Sequence, residues 1–250
     1  MRYKLIACEV MYREFCAAVA FGPHVLDVEF VPKGLHDLGA EPMRDRLQVV
    51  VDRVQADMYD AVLLGYALCN NGLVGLAARH TPLVIPRAHD CITLFLGSRQ
   101  RYDEYFHANP GVYFTTSGWI ERGAVTDELA SQTVQRRTGM DSSYEELVAK
   151  YGEENAQYLW ETLCNTLRNY SQYTYIEMGI EPDDRFERRT REDAERRGWT
   201  FARVEGDMRL IKALVAGGWD EREFLVVPPG FRIVARVDDG IVDCERISVE

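Results

Sequence analysis

The sequence predicts an α/β protein: Rossmann-like parallel sheets with helices on both faces, in two lobes that leave a cleft at the carboxyl ends of the strands. Three observations lead there. Short, β-branched apolar runs alternate with longer segments of helical period through the first third of the chain, as when strands are joined by helical crossovers. A polar stretch without an apolar stripe, residues 123–141, then interrupts the alternation. Beyond it the α/β pattern resumes. The expected division is an N-terminal lobe at 1–122, an excursion or lid at 123–141 and a C-terminal lobe at 142–250.

In chain order, strands are expected at 3–7, 25–31, 61–64, 83–85 and 112–115, separated by helices at 9–20, 42–58, 71–79 and 90–108. After the excursion come a long helix at 143–170, a strand at 173–177, a charged helix at 183–197, a strand at 200–204, a helix at 207–216 and a strand at 224–227. Segment 183–197 carries six Arg and six Asp/Glu, interleaved, which fits a solvated helix face better than a phosphate site. Residues 233–237 and 241–247 flank Asp239-Gly240, a dipeptide suited to a tight hairpin turn.

Composition excludes several classes. The chain has 250 residues, 46% hydrophobic and 28% charged, ordinary globular usage. With 29 Lys+Arg against 40 Asp+Glu the net charge is −11, and no clustered basic stretch is present, so no nucleic acid partner is expected. The longest apolar run, near 15–21, is far short of the ~20 residues that span a bilayer, so no membrane association is expected. The start of the chain turns charged at Glu9 and lacks the apolar core of a secretory signal, so the expected compartment is the cytoplasm, where the six cysteines stay reduced.

The chemistry centres on Cys8, Cys69 and Cys91. Each follows an expected strand on the same edge of the sheet, so residues 61 and 22 positions apart are expected to converge where open α/β sheets bind ligands. Three thiolates with an open fourth position suit a catalytic zinc or a four-iron four-sulfur cluster with one exchangeable iron, and spacing does not choose between them. Packing is the competing reading, because free cysteine is often simply buried. For Cys16, Cys164 and Cys244, packing is the better reading.

Asp90 is expected to cap a helix with Cys91 in its first turn, where free amides and the helix dipole favour a thiolate. His89 is a candidate fourth ligand or acid/base group, with Asp90 or Glu9 to orient it. Arg87 is placed to hold an anionic substrate group, or else forms a surface ion pair. Asn70-Asn71-Gly72 is expected to open a helix whose amides bind an anion, and Ser117 with Trp119 to wall the ligand site. His24, His36, His80 and His107 read as structural or surface groups, although residues 32–37 are expected at the cleft.

The motifs KLIAC, LLGYALCNNGLVGL, PRAHDCITLFLGS and TSGW together resemble the domain of unknown function 1638 family over nearly the whole chain. The resemblance implies prokaryotic cytoplasmic proteins that accompany corrinoid-dependent methyl-transfer systems, and it implies no particular reaction. His89-x-Cys91 is similar to the His-x-Cys element of zinc-dependent thiol methyltransferases, in which zinc binds the substrate sulfur. Those enzymes place their other cysteine downstream, whereas Cys8 and Cys69 lie upstream here. The layout also resembles quinolinate synthase, which holds a four-iron cluster with three separated cysteines on Rossmann-like lobes.

The expected function is a zinc-dependent cytoplasmic transferase moving an alkyl or methyl group on a small anionic or thiol substrate. The alternatives are an oxygen-sensitive iron-sulfur lyase or dehydratase, and a non-enzymatic accessory protein that carries metal or corrinoid for a methyltransferase system. An organic-ligand cleft with no metal is the fourth reading.

Overall fold

The computed structural model describes residues 1–124, 126–164, 167 and 169–248. The chain opens with β1 (Arg2–Cys8), α1 (Tyr12–Ala20), β2 (Val25–Val31), α2 (Ala40–Asp52), β3 (Ala61–Gly65), the two-residue β4 (Ala77–Ala78) and β5 (Leu83–Pro86). Then follow α3 (Cys91–Leu96), α4 (Arg99–Ala108), β6 (Val112–Thr115) and α5 (Ser117–Arg122). Short helices α6 (Asp127–Ala130) and α7 (Val134–Thr138) precede α8 (Tyr144–Tyr151) and α9 (Glu153–Leu159). The chain closes with β7 (Gln172–Glu177), α10 (Arg185–Arg197), β8 (Thr200–Glu205), α11 (Arg209–Ala216), β9 (Phe224–Val227), β10 (Phe231–Ala235) and β11 (Val242–Arg246).

The fold is α/β and mostly parallel. The main sheet runs β2-β1-β3-β5-β9, parallel except for β9. Its central strand, β3, is buried at every residue, as a sheet covered on both faces requires. The steps β1 to β2 and β2 to β3 run in opposite directions across the sheet, so right-handed crossovers place α1 and α2 on opposite faces. On α2, Met43, Leu47, Val50 and Val51 form the buried stripe, at the spacing that a helix needs to present one face. A second parallel sheet runs β6-β7-β8, and β4, β10 and β11 form a small antiparallel sheet.

One close approach joins the two parallel sheets. Thr116 caps α5 by accepting from the Trp119 amide at 3.2 Å, and the helix start then presses on the 3-10 turn Glu9–Met11 beyond β1. A Cβ on Gly118 would lie 1.7 Å from the Val10 carbonyl oxygen, so only glycine permits this contact.

Several expectations change. The strand at 112–115 was expected beside the first four, but it opens the second sheet, and β9 completes the main sheet from far along the chain. The sheets therefore cut across the expected division at 122 and 142. No helix forms at 71–79, where turns lead into β4. The expected helix at 90–108 is two, broken at Gly97 (φ 76), where a Cβ would meet Asp207 at 2.6 Å. The helix expected at 143–170 breaks at Gly152 (φ 78), and its calls on residues 165, 166 and 168 lie outside the described residues. The excursion holds the short helices α6 and α7. The hairpin loop spans 236–241, with its positive φ on Ile241 (φ 60) and not on Asp239 or Gly240. Among the described residues no helix is long and apolar enough to cross a membrane.

Glu14, in the first turn of α1, is fully buried with no hydrogen-bond partner on either carboxylate oxygen. Burial, opposed by its own nearby backbone N–H and by Arg13 and reinforced by Glu181 and Glu121, pushes its pKa up to about 7. Because the folded state holds this proton more tightly than the unfolded chain does, stability falls as pH rises from about 4.5 to about 7. Urea denaturation is expected to show Glu14→Gln gaining about 2 kcal/mol on the native protein between pH 5 and pH 8. A difference independent of pH would contradict the buried, unpaired carboxyl.

Candidate functional site

The sense of winding reverses between β1, which leads to β2, and β3, which leads to β5 on the other side. Such a reversal opens a crevice beyond the carboxyl ends of the two strands, where open α/β sheets bind ligands. A cleft of about 560 Å3 lies at that place. Cys8, the last residue of β1, Cys69, in the loop after β3, and Cys91, the first residue of α3, all line it.

The loop after β3 is held by its neighbour. Leu68 and Cys69 donate their amides to the carbonyls of Ala88 and His89 at 2.9 and 3.0 Å, continuing the β3–β5 partnership past the strand ends. The chain then turns back through three successive left-handed residues, Cys69 (φ 47), Asn70 (φ 55) and Asn71 (φ 63). Asparagine tolerates that region and cysteine does so poorly, at about 1–2 kcal/mol per ordinary residue. Gly72 ends the turn, and a Cβ there would lie 2.3 Å from the Met43 sulfur of α2. Strain of this kind persists where the surroundings over-determine it, and here it fixes the Cys69 thiol toward the cleft.

Cys69 is buried and Cys8 and Cys91 are half-buried, and the thiols sense one another. Burial first, then the charge of its neighbours, pushes Cys8 up to about 11 and Cys69 up to about 12. Cys91 is raised well above the usual thiol value by burial, Cys69 and Asp90. The helix start expected to favour a Cys91 thiolate is short, with six residues in α3, and burial, Cys69 and Asp90 act against it. Among the described residues no three Cys, His, Asp or Glu side chains stand close enough together to hold a metal ion as they are.

Asp90 does cap α3, accepting from the Ile92 and Thr93 amides, and its other oxygen accepts from the Tyr102 hydroxyl at 3.0 Å. Trp119 walls the cleft, with the Lys33 ammonium 5.1 Å from its ring centre. Other candidates lie elsewhere. The His89 side chain borders a neighbouring cavity on the far side of Tyr102. Arg87 spends its guanidinium on the carbonyls of Glu221, Gly240 and Val242, tying β5 to the terminal hairpin, because those oxygens lie within reach and the cleft does not. Asn70 and Asn71 are exposed in the left-handed turn and start no helix, and Gly72 serves the close approach to α2. Ser117 is fully buried and outside the cleft lining, with no partner for its hydroxyl. Glu9 accepts from the Lys33 amide at 2.9 Å and lies 3.7 Å from the Arg122 guanidinium.

The sequence reading placed residues 32–37 at the cleft but gave no role to the polar group that the 3-10 turn Lys33–Leu38 brings there. Lys33 pairs with Asp37 at 2.7 Å, His36 lies 3.5 Å from Asp37, and the His36 Nε2 is 3.3 Å from the Asn70 amide nitrogen. Burial would raise Asp37, but hydrogen bonds from His36 and Lys33 and the charge of both hold it below the usual carboxylate value. The position of this segment directly after β2, on the same sheet edge, was the available signal. Tyr66, Tyr102, Phe106, Tyr113 and Phe114 were missed as well, since aromatic residues scattered in sequence carry no motif.

The turn gives a direct test. Asn71→Gly is expected to raise the unfolding free energy by about 1 kcal/mol and Asn71→Val to lower it by about as much, because only the first relieves the left-handed backbone. Urea denaturation of both variants checks this, and equal effects would contradict the geometry.

No curated protein and no solved structure matches the chain. Residues 30–215, which include Cys69, Cys91, the second sheet and most of α11 but not β1 with Cys8, match the family model described as protein of unknown function (DUF1638). The chain belongs to that family.

Proposed function

We propose that the protein is a metal-dependent enzyme in which Cys8, Cys69 and Cys91 bind zinc and a small thiol is alkylated in the cleft beside them. The observation that carries this reading is the gathering of three thiols from three separate strand ends on one cleft, one of them held there against backbone strain. Packing alone gives no reason to keep cysteine in a left-handed turn, where glycine or asparagine is easier.

Three soft ligands with a free fourth position would make a zinc site that accepts substrate once the thiols, too far apart to share an ion as they stand, close on the metal. The burial that keeps these thiols neutral would be offset by a divalent cation, the species able to hold several thiolates together in a low dielectric. When bound, zinc acts as a Lewis acid that lowers the pKa of a substrate thiol.

The residues of the 3-10 turn supply the rest. His36, oriented by Asp37 and Asn70, takes the proton-moving role that the sequence had suggested for His89. The substrate sulfur forms its bond to the alkyl carbon as the donor's leaving group departs, and the thiol proton goes to His36. Lys33, shielded against Trp119, is neutralised by Asp37, so it does not take the anion-holding role expected of Arg87. A reducing cytoplasm suits such a centre, and a corrinoid methyl-transfer system is the alkyl source that the family resemblance suggests.

Metal and acid-labile sulfide should be measured on protein purified without oxygen. About one zinc per chain is expected, lost in Cys8→Ser, Cys69→Ser and Cys91→Ser and retained in Cys16→Ser, whose residue lies outside the cleft. Iron with sulfide would replace zinc-dependent transfer by cluster-dependent dehydration. Protein without metal, or full metal in all three variants, would overturn the reading.

A further inference from the structure

The wall of the cleft holds two buried hydrogen-bond donors, one with no acceptor and one with only the Cys91 thiol beside it. The Tyr66 side chain is 2% exposed, and its hydroxyl has no partner. It stands beside Cys8 and Cys69, whose charge it senses. The Trp119 indole N–H is likewise buried and without a full hydrogen bond, although it lies near enough to Cys91 to favour that thiolate. Both donors line the cleft that the three thiols line. A buried donor left unpaired is destabilising, and natural structures seldom keep one without a use.

The charged side chains of the same wall are already engaged. Lys33 is paired with Asp37, and Asp90 is taken up by the start of α3 and by Tyr102. An arriving charge would find no free counter-ion there, whereas a neutral acceptor atom would find two neutral donors. Toward the mouth the lining turns aromatic. Tyr102 stacks on Phe106 with centroids 5.8 Å apart and packs against Phe114 at 6.5 Å, and Phe106 is 45% exposed.

We propose that Tyr66 and Trp119 are a recognition pair for an uncharged, planar aromatic ligand, whose carbonyl or ether oxygen accepts from them while its ring lies against Tyr102, Phe106 and Phe114. The inference deepens the reading of the cleft as the substrate site and names the body of the molecule that carries the reacting group. It needs the cleft but not the metal.

Ligand-observed NMR titration with benzamide, benzoate and acetamide tests it on wild type and Tyr66→Phe. Benzamide is expected to bind wild type at millimolar concentration, at least about fivefold more tightly than benzoate, which brings an unpaired charge, or acetamide, which lacks the ring. Tyr66→Phe is expected to weaken benzamide about three- to tenfold, one neutral hydrogen bond, and to raise Tm by about 2–6 °C because an unpaired buried hydroxyl is removed. A structural hydroxyl would give the opposite sign in Tm. Benzoate binding as tightly as benzamide, unchanged benzamide binding in Tyr66→Phe, a lowered Tm, or no benzamide binding to wild type would overturn the proposal. Zinc content of the same samples separates the two readings. Metal-free wild type that binds benzamide through Tyr66 removes the zinc assignment alone, and zinc-loaded wild type that ignores benzamide removes this one alone.

Discussion

Two backbone hydrogen bonds beyond the strand ends, Leu68 to Ala88 and Cys69 to His89, govern the arrangement of the site. They keep the loops after β3 and β5 side by side where the strands themselves have stopped. The chain leaving β3 must then reverse within a few residues, and it does so through three left-handed positions. Cys69 is fixed by that reversal, Cys91 by the capped start of α3 on the adjoining loop, and Cys8 by the end of β1 in register with Val31. A cleft lined by three thiols follows from the sheet order once those loops are pinned.

The stabilising parts of the molecule lie away from this edge. The fully buried β3, the α2 stripe and the glycine-mediated contact of α5 with the turn after β1 hold the frame. At the edge itself the terms are unfavourable: a strained turn, thiols whose ionisation burial opposes, and the unpaired Tyr66 hydroxyl and Trp119 N–H. Together on one cleft, they describe a surface organised for a ligand rather than for stability. Glu14, Thr81 and Ser117 also keep buried polar atoms without partners, outside the cleft lining.

The α/β class and most strand positions could be read from periodicity, because a buried parallel strand demands a short β-branched run wherever it occurs. Pairing could not. β9 joins the main sheet from more than 130 residues beyond β5, and no local pattern in FLVV announces that partner. The helix expected at 71–79 failed because the hydrophobic spacing of LVGLAA ignores the turn upstream, whose left-handed residues send the chain into β4 instead. For the site, strand-end logic located Cys8, Cys69 and Cys91 correctly at one edge, and it placed Asp90 and Trp119 there as well. It failed for Arg87 and His89, since position along a loop does not fix the direction of a side chain. It undervalued Lys33, His36 and Asp37, whose interest comes from being packed against one another and Trp119.

We propose that Cys8, Cys69 and Cys91 act together as ligands to one metal ion. Titrating the reduced, chelator-treated protein with cobalt(II) under anaerobic conditions tests this most directly, because thiolate-to-cobalt charge transfer reports sulfur in the coordination shell. The account predicts an absorption band that saturates at about one equivalent, as for a single tetrahedral site, and that is lost in Cys69→Ser. A spectrum indistinguishable from cobalt in buffer, or one unchanged by that substitution, would contradict it.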